Sequence, residues 1–224
     1  MALFLAGGGS PEQEARVWAE AFEGISRVCY WPFALAGDRL TDTDRWIRES
    51  LLALGLEADV DTWPKLEGHN TGELREFDLL FVGGGLTSRL ASEIARNGWN
   101  DSVRQFISGG GRYLGGSAGA ILPCEEITLA SLVEEDPAAL GMSGLRVLAG
   151  LSVFPHADRY TPAQHRAVAG TLGHIVVCIP EASGVAVADG ELRAIGPDPV
   201  TILDGRERTT LIAGETAPLP RGSE

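Results

Sequence analysis

The 224-residue sequence contains only three cysteines, Cys29, Cys124 and Cys178, far apart along the chain. An odd, scattered set neither frames a disulfide-bonded fold nor offers the paired spacing of a zinc site, so no metal is expected. Cys29 and Cys178 lie in apolar strand-like runs, where a small thiol is ordinarily buried. A reducing cytoplasm is the simplest setting. Basic residues are also short: 18 Lys and Arg face 31 Asp and Glu, a formal net charge of −13. Such a surface repels a nucleic-acid backbone and no basic cluster offsets it, so no nucleic-acid partner is expected. No apolar run is long enough to cross a bilayer, which argues against a membrane partner. The first residues, Met1 to Ala6, lack the basic region of a signal peptide and read as a first core strand. Neither an internal repeat nor a domain linker is visible. One α/β domain over residues 1–216 is expected, with 217–224 a loose tail.

What the chain does have is an alternation of strand and helix. Leu3 to Ala6, Ile25 to Trp31, Leu56 to Val60, Asp78 to Val82, Arg112 to Leu114, Leu151 to Phe154 and Ile175 to Cys178 are short apolar runs that read as strands. Between them, helices are predicted over Glu12–Phe22, Thr43–Leu54, Leu86–Asn97, Asn100–Ile107 and Pro162–Leu172. In the second of these, Trp46, Ile47, Leu51 and Leu54 recur at helical spacing before a terminating Gly55. The alternation argues for a mostly parallel sheet flanked by helices. From Val185 onward, Asp189-Gly190 and Asp204-Gly205 mark short C-terminal hairpin strands.

The most informative stretch is Gly115-Gly116-Ser117-Ala118-Gly119-Ala120, a strand that runs straight into a helix with one hydroxyl at the turn. Small neighbours permit the sharp turn of a nucleophile elbow, and a serine that merely caps a helix is the bland alternative. In parallel α/β proteins reactive groups collect beyond the carboxyl ends of strands. His156 follows Val153-Phe154-Pro155, and Glu181 follows Cys178-Ile179-Pro180, so both share that placement with Ser117. A serine hydroxyl needs a base, an imidazole titrates near neutrality, and a carboxylate fixes the imidazole tautomer. Taken singly, His156 also reads as a structural strand-end residue and Glu181 as an exposed turn acid. The loop Gly83-Gly84-Gly85-Leu86-Thr87 closes another strand. Its Gly84 or Gly85, with Ala118, would supply oxyanion-hole amides; an anion-binding turn is the competing reading. Gly7-Gly8-Gly9 does not fit a dinucleotide fingerprint and no Lys-containing phosphate loop exists, so no nucleotide cofactor is expected. His165 and His174 read as surface or hinge residues, and His69, between Gly68 and Asn70, sits in a polar loop.

Taken together, Phe81-Val82-Gly83-Gly84-Gly85-Leu86-Thr87, Gly116-Ser117-Ala118-Gly119-Ala120, Phe154-Pro155-His156 and Ile179-Pro180-Glu181 resemble the aspartyl dipeptidase (peptidase E) family, whose better-known relative is cyanophycinase. The resemblance runs from the first strand to about Leu192. It implies a fold like that of class I glutamine amidotransferases, a triad on Ser117, His156 and Glu181, and an acyl-enzyme route that needs no cofactor. It further implies short acidic peptides as substrates, cleaved after an N-terminal aspartate; separately, a monomer or homodimer is expected. Two departures stand out. Leu86 occupies the place of the family's asparagine, and Gly116 the place of a tryptophan in enteric-type members. The family carries a further acid between serine and histidine, for which Glu134, Glu135 and Asp136 are the candidates here. A substrate carboxylate needs a cation or strong donor; Arg89, Arg159 and Thr87 are the expected binding residues. A cyanophycinase-like or other short-amide hydrolase, and a noncatalytic binding protein of the same fold, are the alternatives.

Overall fold

Leu79-Leu80-Phe81-Val82 is buried at every position, and a strand of that kind needs cover on both faces. In the computed structural model, which describes residues 2–133, 136–205 and 207–220, that cover comes from helices packed on a central sheet. Five strands form its parallel core: β1 (Ala2–Ala6), β2 (Arg27–Trp31), β3 (Asp59–Thr62), β4 (Leu79–Val82) and β5 (Arg112–Gly116), in spatial order β3-β2-β4-β5-β1. Two further strands, β6 (Leu151–Phe154) and β7 (Ile175–Cys178), lie outside it. The chain then returns through β8 (Gly184–Ala188) and β9 (Glu191–Ile195), which extend the main sheet antiparallel from β1. Last come β10 (Val200–Asp204), β11 (Glu207–Leu211) and β12 (Thr216–Pro218).

The protein is thus an α/β fold with a mixed sheet and a parallel core. The sequence pattern predicts β6 and β7 as members of that same parallel sheet, and here it is corrected. They pair with each other in parallel, Leu151 opposite Ile175, and join β10 and β11 in a separate four-stranded sheet. The physical reason is that β8 occupies the edge of β1, with Leu5 opposite Val185, so the parallel run cannot continue there. Both C-terminal hairpins form at the Asp-Gly turns expected of them, β8–β9 and β10–β11. The loose tail expected from residue 217 begins inside a strand, because Ala217 packs on the core while β12 pairs with β9.

Helix Thr43–Leu54 has the bounds its spacing predicts, and Gly55 ends it in the left-handed conformation. The first helix runs Ala15–Phe22, three residues later than predicted. Its preceding residue, Glu14, is drawn back into the glycine loop after β1. Apolar side chains fill both faces of the sheet: Leu3, Leu5, Trp31 and Val82 on one side, and Phe4, Val28, Tyr30 and Phe81 on the other.

Candidate active site

The two sheets meet where their strands end. Gly7–Gly9 follows β1, Gly83–Gly85 follows β4, Ser117 follows β5, His156 follows β6, and Glu181 lies three residues beyond β7. Backbone bonds lock these ends together. The His156 amide donates to the Gly7 carbonyl at 2.8 Å, the Gly7 amide to Ser183 at 2.9 Å, and the Ala157 amide to Ile179 at 3.1 Å.

Ser117 sits at φ 51°, ψ −111°, outside the ordinary regions for a residue with a side chain. That turn lifts the hydroxyl off the sheet, and the helix Ala118–Ile121 starts at once behind it. Ser117 Oγ is 2.9 Å from His156 Nε2, and His156 Nδ1 is 2.8 Å from Glu181 Oε1. His156 also holds a positive φ, 53°. Strain of this kind persists only where the surroundings fix it. Here the imidazole rests on Gly8: a Cβ at that position would fall 2.4 Å from His156 Cε1 and 3.0 Å from Ser117 Cβ. Glu181 is held from two further sides, by Asp158 Oδ1, which accepts from its amide at 2.9 Å, and by an ion pair with Arg159.

The glycine loop after β4 approaches from the other side. A Cβ on Gly84 would lie 3.1 Å from Ser117 Cβ, so Gly84 faces the serine. Gly85 turns away toward the Ala34 carbonyl, at φ 139°. Of the two glycines expected at an oxyanion hole, Gly84 is the one where an added Cβ would meet Ser117, and Ala118 is next in sequence to the serine.

The other expected binding residues are dispersed. Arg89 is exposed on the helix Thr87–Arg96 and does not line the cavity beside Ser117; its helix phase turns it outward from the buried Thr87, Ser88 and Leu90. Arg159 is committed to Glu181. Thr87 is fully buried in the first turn of its helix rather than at the cavity wall. Asp136 is buried as well, and its Oδ2 accepts from the Ser88 amide at 2.8 Å, so it caps the helix that follows the Gly83–Gly85 loop. Glu134 and Glu135 lie outside the described residues. His165, read from sequence as a surface or hinge residue, donates from Nε2 to the Ala157 carbonyl at 2.8 Å and braces the turn after His156. Among the described residues no group of three or more His, Cys, Asp or Glu is arranged to hold a metal ion. Burial pushes the thiols of Cys124 and Cys178 up to about 12, which leaves them protonated and inert.

The residue that sequence reasoning missed is Glu14. Its Oε1 accepts from the amides of Gly8, at 2.6 Å, and Gly9, at 3.0 Å, while its Oε2 accepts from Trp18 Nε1 at 3.1 Å. Desolvation dominates these bonds and the repulsion of Glu181, and lifts its pKa to about 7. A sequence signal did exist: an acid four residues before a tryptophan, on the apolar face of the helix after Gly7-Gly8-Gly9. Beside Ser117 opens a cavity of about 430 Å³ whose walls include Glu14, Trp18, Tyr30, Trp46 and Phe81.

Residues 3–195 match the sequence profile of Peptidase family S51. The chain belongs to that family. This S51 chain is 30% identical over 134 residues to an uncharacterized peptidase of Listeria monocytogenes serovar 1/2a, a match covering 58% of the chain and 64% of that protein. It is 37% identical over 95 residues to peptidase E of Streptomyces coelicolor, covering 42% of the chain and 37% of that protein. In both cases the match spans less than two thirds of the curated relative. Among solved structures, a peptidase from an acI-B1 Actinobacterium superposes with a TM-score of 0.75 at 21% identity, covering 97% of this S51 chain and 96% of that one. At that identity the likeness establishes the fold.

Proposed function

We propose that this S51 chain is a serine peptidase of short peptides that works through Ser117, His156 and Glu181. The observation that carries the reading is the continuous chain of hydrogen bonds from Ser117 Oγ through both imidazole nitrogens to Glu181 Oε1. In this mechanism His156 Nε2 takes the hydroxyl proton as Oγ attacks the scissile carbonyl. Glu181 accepts from Nδ1–H, holds the tautomer, and stabilises the imidazolium that forms. In the same mechanism the amides of Gly84 and Ala118 would donate to the oxygen on which charge develops. The imidazolium then protonates the leaving amine, and water, deprotonated by the same imidazole, releases the acyl group.

For the substrate, we take N-terminal aspartate (Asp-X) as the first candidate, as the resemblance to aspartyl dipeptidases implies. Its side-chain carboxylate would need a cation. Arg39 lines the cavity beside Ser117, whereas Arg89 and Arg159 do not. The experiment is hydrolysis of an Asp-X, Leu-X and Lys-X dipeptide panel in the presence of a chelator, with Ser117→Ala and His156→Ala alongside. Turnover by the wild type and its loss, by on the order of 10³-fold or more, in both variants is the expected result. Turnover that survives Ser117→Ala contradicts the proposal.

A further inference from the structure

The cavity beside Ser117 carries charge and aromatic surface that proton transfer in the triad does not use. Four rings line it in mutual contact. Trp18 packs edge-on against Trp46 and Phe81, with centroids 6.0 and 5.0 Å apart. Tyr30 lies 6.1 and 5.0 Å from the same two rings. Beside this wall sits the Glu14 carboxylate, in a residue only 4% exposed. Two other charged residues line the cavity, Arg39 and Asp42. They are exposed and opposite in sign, whereas Glu14 is the charged residue of this lining that is buried away from water.

The donors that hold Glu14 are all neutral: two amides and an indole. A buried carboxylate with no counter-charge is costly, and Oε2, with one donor, keeps acceptor capacity. Aromatic rings beside a carboxylate are surroundings that favour an organic cation. Position fits too. Oε1 is 2.6 Å from the Gly8 amide, and Gly8 packs directly on Ser117 and His156. The carboxylate therefore stands about one amino-acid residue away from the nucleophile.

We propose that this cavity is a binding site for an organic cation on the acyl side of the bond that Ser117 attacks, with Glu14 as its counter-ion and the Trp18–Tyr30–Trp46–Phe81 wall as its contact surface. The proposal rests on the serine-peptidase reading for the words "acyl side". The cation is either the ammonium of a free amino terminus or the basic side chain of the same residue; the chemistry that recognises them is shared. Burial supports it, since a carboxyl lifted to about 7 is one whose ionised form lacks compensation. The groups that bear on it are Glu181 and His156 beyond Gly8, and the exposed Arg39 and Asp42 of the cavity lining.

The test uses tetramethylammonium as the probe, titrated against labelling of Ser117 by a fluorophosphonate, with neopentyl alcohol as the neutral comparator. Saturable protection by the cation and none by the alcohol is expected, and Glu14→Gln weakens it by roughly 10–100-fold. Equal protection by the alcohol, or undiminished protection in the folded Glu14→Gln protein, overturns the site. Should Glu14→Gln not fold, Glu14→Asp, which keeps the charge, is expected to retain at least part of the protection, and its complete loss in a folded variant counts against the site. Peptides separate the two sources: loss of turnover on acetylating Leu-X marks the terminal ammonium, whereas preference for acetyl-Lys-X over acetyl-Leu-X marks the side chain. If Ser117 of the folded protein takes no label, the serine-peptidase reading fails by itself. The same titration followed by tryptophan fluorescence of the Trp18–Trp46 wall then still decides the cation site.

Discussion

Replacing Gly8 by alanine tests how the imidazole is held. The residue has φ +95°, which costs a side chain about 1–2 kcal/mol. The added methyl would stand 2.4 Å from His156 Cε1 and 2.5 Å from Nε2, where carbon contacts need roughly 3.5 Å. Something must move by about 1 Å. The loop resists, because Glu14 clamps the Gly8 and Gly9 amides at 2.6 and 3.0 Å, so the ring yields. Displacement by that amount opens the 2.9 Å bond between Ser117 and His156 beyond hydrogen-bond range. Loss of the positioned base lowers turnover by on the order of 10²–10⁴-fold. The strain lowers the Tm by about 2–8 °C. Gly116→Ala is the control: it also lies at the cavity, yet a Cβ there meets nothing within 4 Å. Its stability is expected to stay within about 0.5 kcal/mol of wild type. Peptide turnover and thermal melts of the two variants, side by side, make the assay. A folded Gly8→Ala protein with turnover within about threefold of wild type would refute the reasoning, since the ring would then not depend on the bare backbone beneath it.

Other outcomes follow from the same geometry. Glu181→Gln keeps the shape but presents an amide to His156 Nδ1, and kcat is expected to fall by on the order of 10³–10⁴-fold with little change in melting, read by steady-state kinetics. Asp136→Ala removes the cap on the Ser88 amide; a loss of about 1–2 kcal/mol, or a Tm lower by about 2–8 °C, is expected in a thermal melt. Glu14 also makes stability pH-dependent. Its folded pKa, about 7, is raised above the ordinary 4.5, so its contribution is present in full below about 4.5 and is lost as pH rises through about 7. Relative to Glu14→Gln, the wild type is expected to lose on the order of 3 kcal/mol between pH 4.5 and 7, measured by urea unfolding across that window. A constant difference between the two proteins would show that the carboxyl does not titrate there.

The grouping of Ser117, His156 and Glu181 was legible from sequence because each follows an apolar run that ends at a Gly, Pro or small residue. Strand ends are where a parallel α/β fold gathers its polar groups. Ser117, His156 and Glu181 needed only that rule to be brought within hydrogen-bond range. The two-sheet arrangement was not legible. Leu151–Phe154 and Ile175–Cys178 look like any buried parallel strands, and nothing local records that the edge of β1 is taken by β8. The positions of Arg89 and Arg159 outside the cavity lining were not legible for a related reason. Their sequence proximity to the glycine loop and to His156 says nothing of helix phase, or of a closer carboxylate such as Glu181. Glu14 escaped because its role is tertiary: a glutamate near a helix start ordinarily faces water, and only the folded Gly7–Gly9 loop turns it inward.

The central claim is that Ser117 is a nucleophile activated by His156, and intact-mass analysis after fluorophosphonate treatment tests it most directly. One adduct, mapped to Ser117 in the wild type, absent in Ser117→Ala and slowed by at least about 100-fold in His156→Ala, is the result this account requires. An unlabelled Ser117 in folded wild-type protein, or labelling at an undiminished rate without the imidazole, would contradict it.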